Sequence, residues 1–152
     1  VINSGANIVL VGLDVTMQAR LSREKMNWIA RDGGYPAKKM MEIAEFYYNF
    51  YVAEQRHLDD GRPFGCGMHD PLTVAVAEDP TLVEMEAIKG DIELMGEWTR
   101  GQLIPDRRPI AGHKPNVRVC TQVDVNKFVD RFARQLSIFR LDRGDQLSLQ
   151  GR

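Results

Sequence analysis

The first strong hydrophobic pattern in this chain is a run of four apolar residues, from Ile8 to Val11, which lies between Gly5 and Gly12. A short apolar run bounded by glycines predicts a β-strand that is buried on both faces, as strands of parallel sheets are. The next residues predict a turn into a helix, and either Thr16 or Ser22 could cap that helix.

A long helix is predicted from Ala37 to about Leu58, because apolar residues recur there at helical spacing. Gly33-Gly34 should end the preceding helix, and Tyr35-Pro36 should keep the chain extended between the two helices. The apolar face of the long helix is wide, which predicts burial on more than one side. Its members are Met40, Ile43, Ala44, Tyr47 and Tyr51, with Met41, Tyr48 and Val52 on an adjacent stripe.

The second half of the chain predicts further strands and two helices. Asp70-Pro71 is typical of a helix start, so Asp70 should be the N-cap of a helix that runs to about Glu78. Asp124 should cap a final amphipathic helix. The strands predicted between these helices are Val83 to Ile88, Asp91 to Trp98 (joined to the first at Lys89-Gly90), Gln102 to Ile104, and Val117 to Val123. This order predicts an α/β fold with some antiparallel pairing.

Composition and charge narrow the class of protein. The chain has 152 residues, of which 43% are hydrophobic and 27% charged, and this is typical of one globular domain. The net charge of −1 removes the main argument for a nucleic-acid-binding protein, which usually needs a basic face. No apolar run approaches the roughly 20 residues that span a bilayer. Cys66 and Cys120 lack a C-x-x-C spacing, so we expect two reduced thiols in a cytoplasmic protein.

The sharpest candidate chemistry is His69-Asp70, which follows the flexible segment Gly65-Cys66-Gly67. Loops of this kind often carry functional sites. Asp70 has two readings, a simple helix cap or a carboxylate ligand of Ca²⁺. One carboxylate cannot complete a Ca²⁺ site, and Asp59-Asp60 is better explained as a solvated turn.

Other candidate residues carry weaker signals. His57 and His113 are expected to face solvent, and Asp14 is expected to serve the turn after the first strand. Tyr47, Tyr48 and Tyr51 are more typical of a core than of a platform for stacking a base.

Three pieces of the sequence together resemble the nucleoside hydrolase family, the inosine-uridine-preferring nucleoside N-ribohydrolases. They are Val11 to Thr16, His69-Asp70-Pro71-Leu72, and Thr99-Arg100-Gly101 with the following strand and helix around Val123-Asp124. The resemblance runs from about Ile2 to Leu136. It implies that residues 1–152 are the C-terminal portion of a single nucleoside hydrolase-like domain, with an open, mostly parallel sheet flanked by helices. The chain starts at Val1 without Met, directly before a strand, so we expect it to belong to a longer protein.

The resemblance also implies roles for two residues. His69 matches the histidine near the leaving nucleobase that is proposed as its proton donor in purine-cleaving members, so the resemblance implies that His69 is catalytic and contacts substrate. Asp70 matches a Ca²⁺ ligand that lies near the ribose. The other Ca²⁺ carboxylates, the base that activates water and the ribose-binding residues would belong to the missing N-terminal half of the fold.

The implied activity is hydrolysis of ribonucleosides to ribose and free base, for nucleoside salvage, in a cytoplasmic homo-oligomer. This chain alone should be inactive. Two alternatives stay open at this point. The chain could belong to a truncated or degenerate homologue that acts as a non-catalytic partner or scaffold subunit, or to an unrelated α/β hydrolase with a coincidental His-Asp loop. Purine and pyrimidine ribonucleosides both remain candidate substrates.

Overall fold

The structure is a computed structural model of the chain. It describes residues 1–55, 64–109, 112 and 114–138, and it describes the side chains of these residues except for 54, 55 and 138. His57, Asp59, Asp60 and His113 therefore lie outside the described residues.

Five helices and six strands occur in the described part of the chain, together with one 3₁₀ turn at Pro80–Leu82. The strands are β1 Val9–Leu10, β2 Arg20–Leu21, β3 Cys66–Gly67, β4 Val83–Ile92, β5 Leu103–Asp106 and β6 Val117–Val123. The helices are α1 Leu13–Thr16, α2 Arg23–Asp32, α3 Gly34–Gln55, α4 His69–Glu78 and α5 Val125–Ile138. Mixed strands and helices confirm the α/β class. No described helix has the length and apolar content to cross a membrane.

The main sheet has the strand order β1-β6-β4-β5. β1 pairs in parallel with β6, with Val9 opposite Arg118, whereas β4 is antiparallel to both β6 and β5. The mostly parallel sheet expected for the larger fold is thus represented in the described residues by a single parallel pair. The antiparallel pairing expected from the sequence is present.

The first strand is shorter and less buried than its apolar run predicted. β1 contains two residues, and the run from Ile8 to Val11 is half-buried rather than buried on both faces. The physical reason is its position, because β1 lies at the end of the described sheet and has a neighbouring strand on one side only.

The predicted turn at Lys89-Gly90 is wrong, because β4 continues through both residues to Ile92. Pairing overrides the local turn signal here, since Lys89 lies opposite Asp106 and Gly90 opposite Pro105. The chain reverses later instead. There the Glu93 carboxylate accepts hydrogen bonds from the backbone N–H groups of Met95 and Gly96, at 2.7 and 3.0 Å.

The caps of two helices agree with the sequence. Ser22 caps α2, because its hydroxyl accepts a hydrogen bond from the Lys25 N–H at 3.2 Å. Asp124 caps α5 by accepting from the Lys127 N–H at 3.0 Å. The prediction that Tyr35-Pro36 stays extended is wrong, because α3 begins at Gly34. Gly34 turns the chain with a φ of +72°, and a proline is tolerated in the first turn that follows.

One face of α3 packs into the core and the opposite face is exposed. Ala37, Met41 and Tyr48 are buried, whereas Ile43 and Phe46 are 77% and 83% exposed. The predicted stripe that contains Ile43 is therefore divided, because Met40 and Ile43 face outward whereas Ala44 and Tyr51 pack against the core. The adjacent stripe supplies the buried residues Met41 and Tyr48. The core also takes in α2, α4 and α5, and its fully buried side chains include Met26, Ile29, Leu72, Leu82 and Phe128.

Candidate active site

The two motifs that the sequence singled out are brought together by a small second sheet. β2 pairs antiparallel with β3, so that Arg20 lies opposite Gly67 and Leu21 opposite Cys66. One more backbone hydrogen bond extends this contact, from the Met68 N–H to the Ala19 carbonyl at 2.9 Å. The segment after β1 therefore fixes the position of the glycine-rich segment that leads into His69.

His69 is the first residue of α4 and Asp70 the second. The prediction that Asp70 is the N-cap is wrong, because the cap position is Met68 and no side chain caps this helix. The Met68 carbonyl already accepts the Leu72 N–H at 3.1 Å, so the helix begins earlier than Asp-Pro indicated. Asp70 still lies at the helix N-terminus, where the helix dipole favours a negative charge.

The Asp70 carboxylate is exposed, and it makes no hydrogen bond or ion pair within the part of the chain that the structure describes. Since capping does not engage it, both of its oxygens can contact a ligand.

The His69 imidazole is held between two hydroxyl groups. Its Nδ1 lies 2.7 Å from Thr16 Oγ1, and its Nε2 lies 2.6 Å from the Tyr51 hydroxyl. Thr16 is the last residue of α1 and is 3% exposed, and Tyr51 lies near the end of α3. The half-buried ring therefore bridges two elements that are far apart in the sequence.

A second tyrosine closes this side of the site. The Tyr47 hydroxyl donates to the Gly67 carbonyl at 3.2 Å, and its ring packs edge-on against that of Tyr51 at 4.9 Å between centroids. Burial raises the pKa of the Tyr47 phenol, and its hydrogen bond with Tyr51 and the negative charge of Asp70 raise it further. Tyr47 therefore stays protonated at neutral pH.

Gly67 makes room for the imidazole. A Cβ atom at this position would lie 2.7 Å from His69 Nε2 and 3.0 Å from the Tyr51 hydroxyl. The sequence predicts that glycines here let the backbone approach a ligand. In the structure, the missing side chain of Gly67 lets the backbone approach the His69 ring instead.

Cys66 is not a candidate nucleophile. Its side chain is buried, and both Cys66 and Cys120 are free thiols, as expected. Burial raises the pKa of the Cys66 thiol. Because the thiolate is the reactive form, this thiol is inert at neutral pH.

Three site residues were not recognised in the sequence as part of a site: Thr16, Tyr47 and Tyr51. The sequence predicts Thr16 only as a possible helix cap, and it predicts that the tyrosines lie in the core. The available signal was the spacing of Tyr47 and Tyr51, which places both hydroxyls on one face of a helix. Asp14 is exposed in the first turn of α1, directly after β1, which is where the sequence predicted it.

The described residues do not form a complete calcium site. Among them no group of three or more histidine, cysteine, aspartate or glutamate side chains is placed to hold a metal ion. Calcium takes roughly six to eight oxygen ligands, whereas the Asp70 carboxylate offers two at most.

Fold and site together define an α/β protein that carries a histidine and an exposed carboxylate at a helix N-terminus. Both ring nitrogens of the histidine lie within hydrogen-bond distance of a hydroxyl group. The chain belongs to the inosine-uridine preferring nucleoside hydrolase family, whose family model matches residues 1–130.

The relatives of this chain are named for different substrate preferences. The chain is 31% identical to a pyrimidine-specific ribonucleoside hydrolase, RihA, of Salmonella newport, over 91% of this chain and 43% of the relative. It is 34% identical to an inosine-uridine preferring nucleoside hydrolase of Leishmania major, over 84% of this chain and 38% of the relative. The chain thus spans less than half the length of these relatives.

A solved structure is similar in fold as well as in sequence. It is a purine-preferring ribonucleoside hydrolase from Gardnerella vaginalis, with a TM-score of 0.77 and 34% identity, over 90% of this chain and 41% of that protein.

Proposed function

We propose that this chain supplies one side of the active site of a ribonucleoside hydrolase, which splits the N-glycosidic bond to give ribose and a free base. The observation that carries the proposal is the His69 imidazole, fixed by two hydroxyls beside the exposed Asp70 carboxylate. The three relatives named above are all ribonucleoside or nucleoside hydrolases, which supports the same reaction.

His69 is the proposed general acid. Cleavage of the bond between ribose and base leaves the bonding electron pair on the base, while positive charge develops on the sugar, as in other glycoside hydrolysis. A proton delivered to the base makes it a better leaving group. General acid catalysis of this kind contributes roughly 10²–10⁴-fold in rate.

Tyr51 is part of the same proposal because its hydroxyl occupies the Nε2 side of the ring at 2.6 Å. A departing base reaches the Nε2 proton either by taking the place of the phenol or through the phenol oxygen, which can accept one proton as it donates another. In both cases Tyr51 lies next to the base.

Asp70 is proposed to face the ribose and to contribute one carboxylate to a Ca²⁺ ion. Since the described residues do not complete such a site, the remaining ligands and the base that activates water would come from the rest of the nucleoside hydrolase fold. A bound Ca²⁺ would position a water molecule and make it easier to deprotonate. The role proposed for His69 does not depend on this assignment.

The cellular setting is also proposed. Two buried, unpaired thiols support a cytoplasmic protein in nucleoside salvage. Large exposed apolar side chains, including Phe46 at 83% and Trp98 at 88%, support further burial in the complete protein, in a homo-oligomer or against the rest of the fold.

The test is a comparison of leaving groups in the full-length protein. We expect His69→Ala to reduce kcat about 10²-fold or more for inosine and uridine, but to have little effect on an activated aryl riboside, whose leaving group needs no proton. Ribose release measures both reactions. Equal losses on both substrate types would limit His69 to positioning or packing.

The same assay addresses the alternative of a non-catalytic partner or scaffold. A folded full-length protein that hydrolyses neither nucleosides nor the activated riboside would favour that alternative and would contradict the proposed activity.

A further inference from the structure

We propose that Thr16 is a positioning residue for His69, and that its hydroxyl oxygen selects the tautomer of the imidazole. In this arrangement the Nδ1–H donates to Thr16 Oγ1, and Nε2 is left as the acceptor that faces Tyr51. The catalytic part of this inference rests on the function proposed above, whereas the tautomer itself does not.

The hydrogen-bond partners of Thr16 support this direction. A threonine hydroxyl has one proton and two lone pairs. Thr16 Oγ1 lies 3.3 Å from the Leu13 carbonyl, which can only accept, so the hydroxyl proton has an acceptor there. The lone pairs of Oγ1 are then available to Nδ1 at 2.7 Å, and in this arrangement Nδ1 carries the proton.

The partners of Tyr51 are compatible with this direction, although the Tyr51 proton has two acceptors within reach, His69 Nε2 and the Tyr47 hydroxyl. If the Tyr51 hydroxyl donates to His69 Nε2 at 2.6 Å, then the Tyr51 hydroxyl, the His69 Nδ1–H and the Thr16 hydroxyl each donate to a nitrogen or an oxygen. In the opposite direction the Tyr51 proton must point to Met17 Sδ at 3.6 Å, a weak acceptor, or to Tyr47. The opposite direction also removes the Thr16 donor from the Leu13 carbonyl.

This tautomer determines which hydrogen bond of His69 changes when the ring gives up a proton. An imidazolium ring carries a proton on both nitrogens, and loss of the Nε2 proton leaves the Nδ1–H tautomer. Thr16 Oγ1 accepts from Nδ1–H before and after that transfer. The ring therefore needs no rotation on the Thr16 side, and the proton that is transferred is the one on Nε2.

Thr16 is also rigidly mounted. It is 3% exposed, and its backbone N–H donates to the Gly12 carbonyl at 3.0 Å. A fixed acceptor on one ring nitrogen is a general way to orient a histidine whose other nitrogen does the chemistry.

The first test is ¹⁵N NMR of the histidine side chains in the full-length protein, with His69→Gln used to assign the His69 signals. We expect neutral His69 to carry its proton on Nδ1 in the wild type and in Thr16→Ser, and to shift toward the Nε2–H form in Thr16→Val. A wild-type ring with its neutral proton on Nε2 would overturn the inference, even if a variant failed to fold.

The second test is kinetic and uses a matched control. Thr16→Val keeps the side-chain shape and removes the acceptor, so we expect kcat for inosine and uridine to fall roughly 10–100-fold with little change in KM. Thr16→Ser should restore most of the rate. Thr73→Val makes the same chemical change at an exposed position, where the hydroxyl donates to the His69 backbone carbonyl at 3.0 Å rather than to the ring, and should retain wild-type turnover.

The outcomes separate the two proposals. Unchanged kcat in Thr16→Val would contradict the positioning role while leaving the nucleoside hydrolase activity in place. A full-length protein without turnover would contradict the proposed function, and the NMR measurement would still decide the tautomer.

Discussion

His69 owes its orientation to three neighbours that it meets only in the folded chain. Thr16 and Tyr51 contact its two ring nitrogens, and Gly67 leaves the space that the ring occupies. Each neighbour acts by a different physical means, namely a lone pair, a hydroxyl donor and the absence of a side chain. The ring is therefore sensitive to small changes at any of these positions.

Gly67→Ala tests the space requirement. The added methyl group would lie 2.7 Å from His69 Nε2, so the ring or the Tyr51 hydroxyl must move. Because Gly67 has no positive φ, we expect the backbone to tolerate alanine. Turnover of inosine by the full-length protein should fall at least 10-fold, since small displacements of a catalytic group are costly. Circular dichroism and the Tm serve as folding controls, and wild-type turnover with an unchanged Tm would contradict the close contact.

At the scale of elements, local signals determined where several helices begin, and pairing determined how far the strands extend. Ser22 and Asp124 cap their helices through contacts with residues three positions on. In contrast, β4 passes through Lys89-Gly90 because β5 pairs with these two residues where the pairing with β6 ends, at Ile88. Local capping energies are small but independent of the rest of the fold, whereas strand length is set by neighbours.

Ser22→Ala tests the cap of α2. Loss of the hydrogen bond to the Lys25 N–H should lower the free energy of unfolding by about 1 kcal/mol. Ser137→Ala is the matched control, because Ser137 is half-buried within α5 and its hydroxyl donates to the Arg134 carbonyl, so it caps no helix start. We expect the control to stay within about 0.5 kcal/mol of wild type in urea denaturation. Equal effects of the two substitutions would show that the Ser22 cap contributes no more to the free energy of unfolding than the Ser137 hydroxyl does.

At the scale of the whole molecule, the chain carries one side of a proposed active site and spans less than half the length of its relatives. Among the described residues, Asp70 belongs to no group of three or more histidine, cysteine, aspartate or glutamate side chains placed to hold a metal ion. β1 has one neighbouring strand in the described sheet, and apolar side chains such as Leu13 and Val74 are more than half exposed. These features predict how the isolated 152-residue chain behaves.

The isolated chain should not hydrolyse nucleosides, should bind Ca²⁺ only weakly, and should self-associate. Weak binding follows from the small number of ligands, and association follows from an unpaired strand edge and exposed apolar area. Calorimetric titration with Ca²⁺, ribose release from inosine and uridine, and size-exclusion chromatography measure the three properties. Micromolar Ca²⁺ binding together with turnover would show that a complete site exists within these residues.

The sequence by itself determined the features that depend on near neighbours. The α/β class, the strand Val117–Val123, the caps at Ser22 and Asp124, and the His69-Asp70 pair at a helix N-terminus could all be predicted. Each of these follows from a repeat of two or 3.6 residues or from a side chain that contacts the backbone a few positions away. Such interactions are encoded within a short segment.

Only the tertiary structure decided which groups surround His69. Thr16 is 53 positions from His69, and Tyr51 is 18 positions from it, so no local pattern records either contact. The same reason explains why the apolar run from Ile8 to Val11 is half-buried and why Met40 and Ile43 of α3 face outward. A periodic pattern shows that a face is apolar, but the position of the element in the fold decides whether anything covers it.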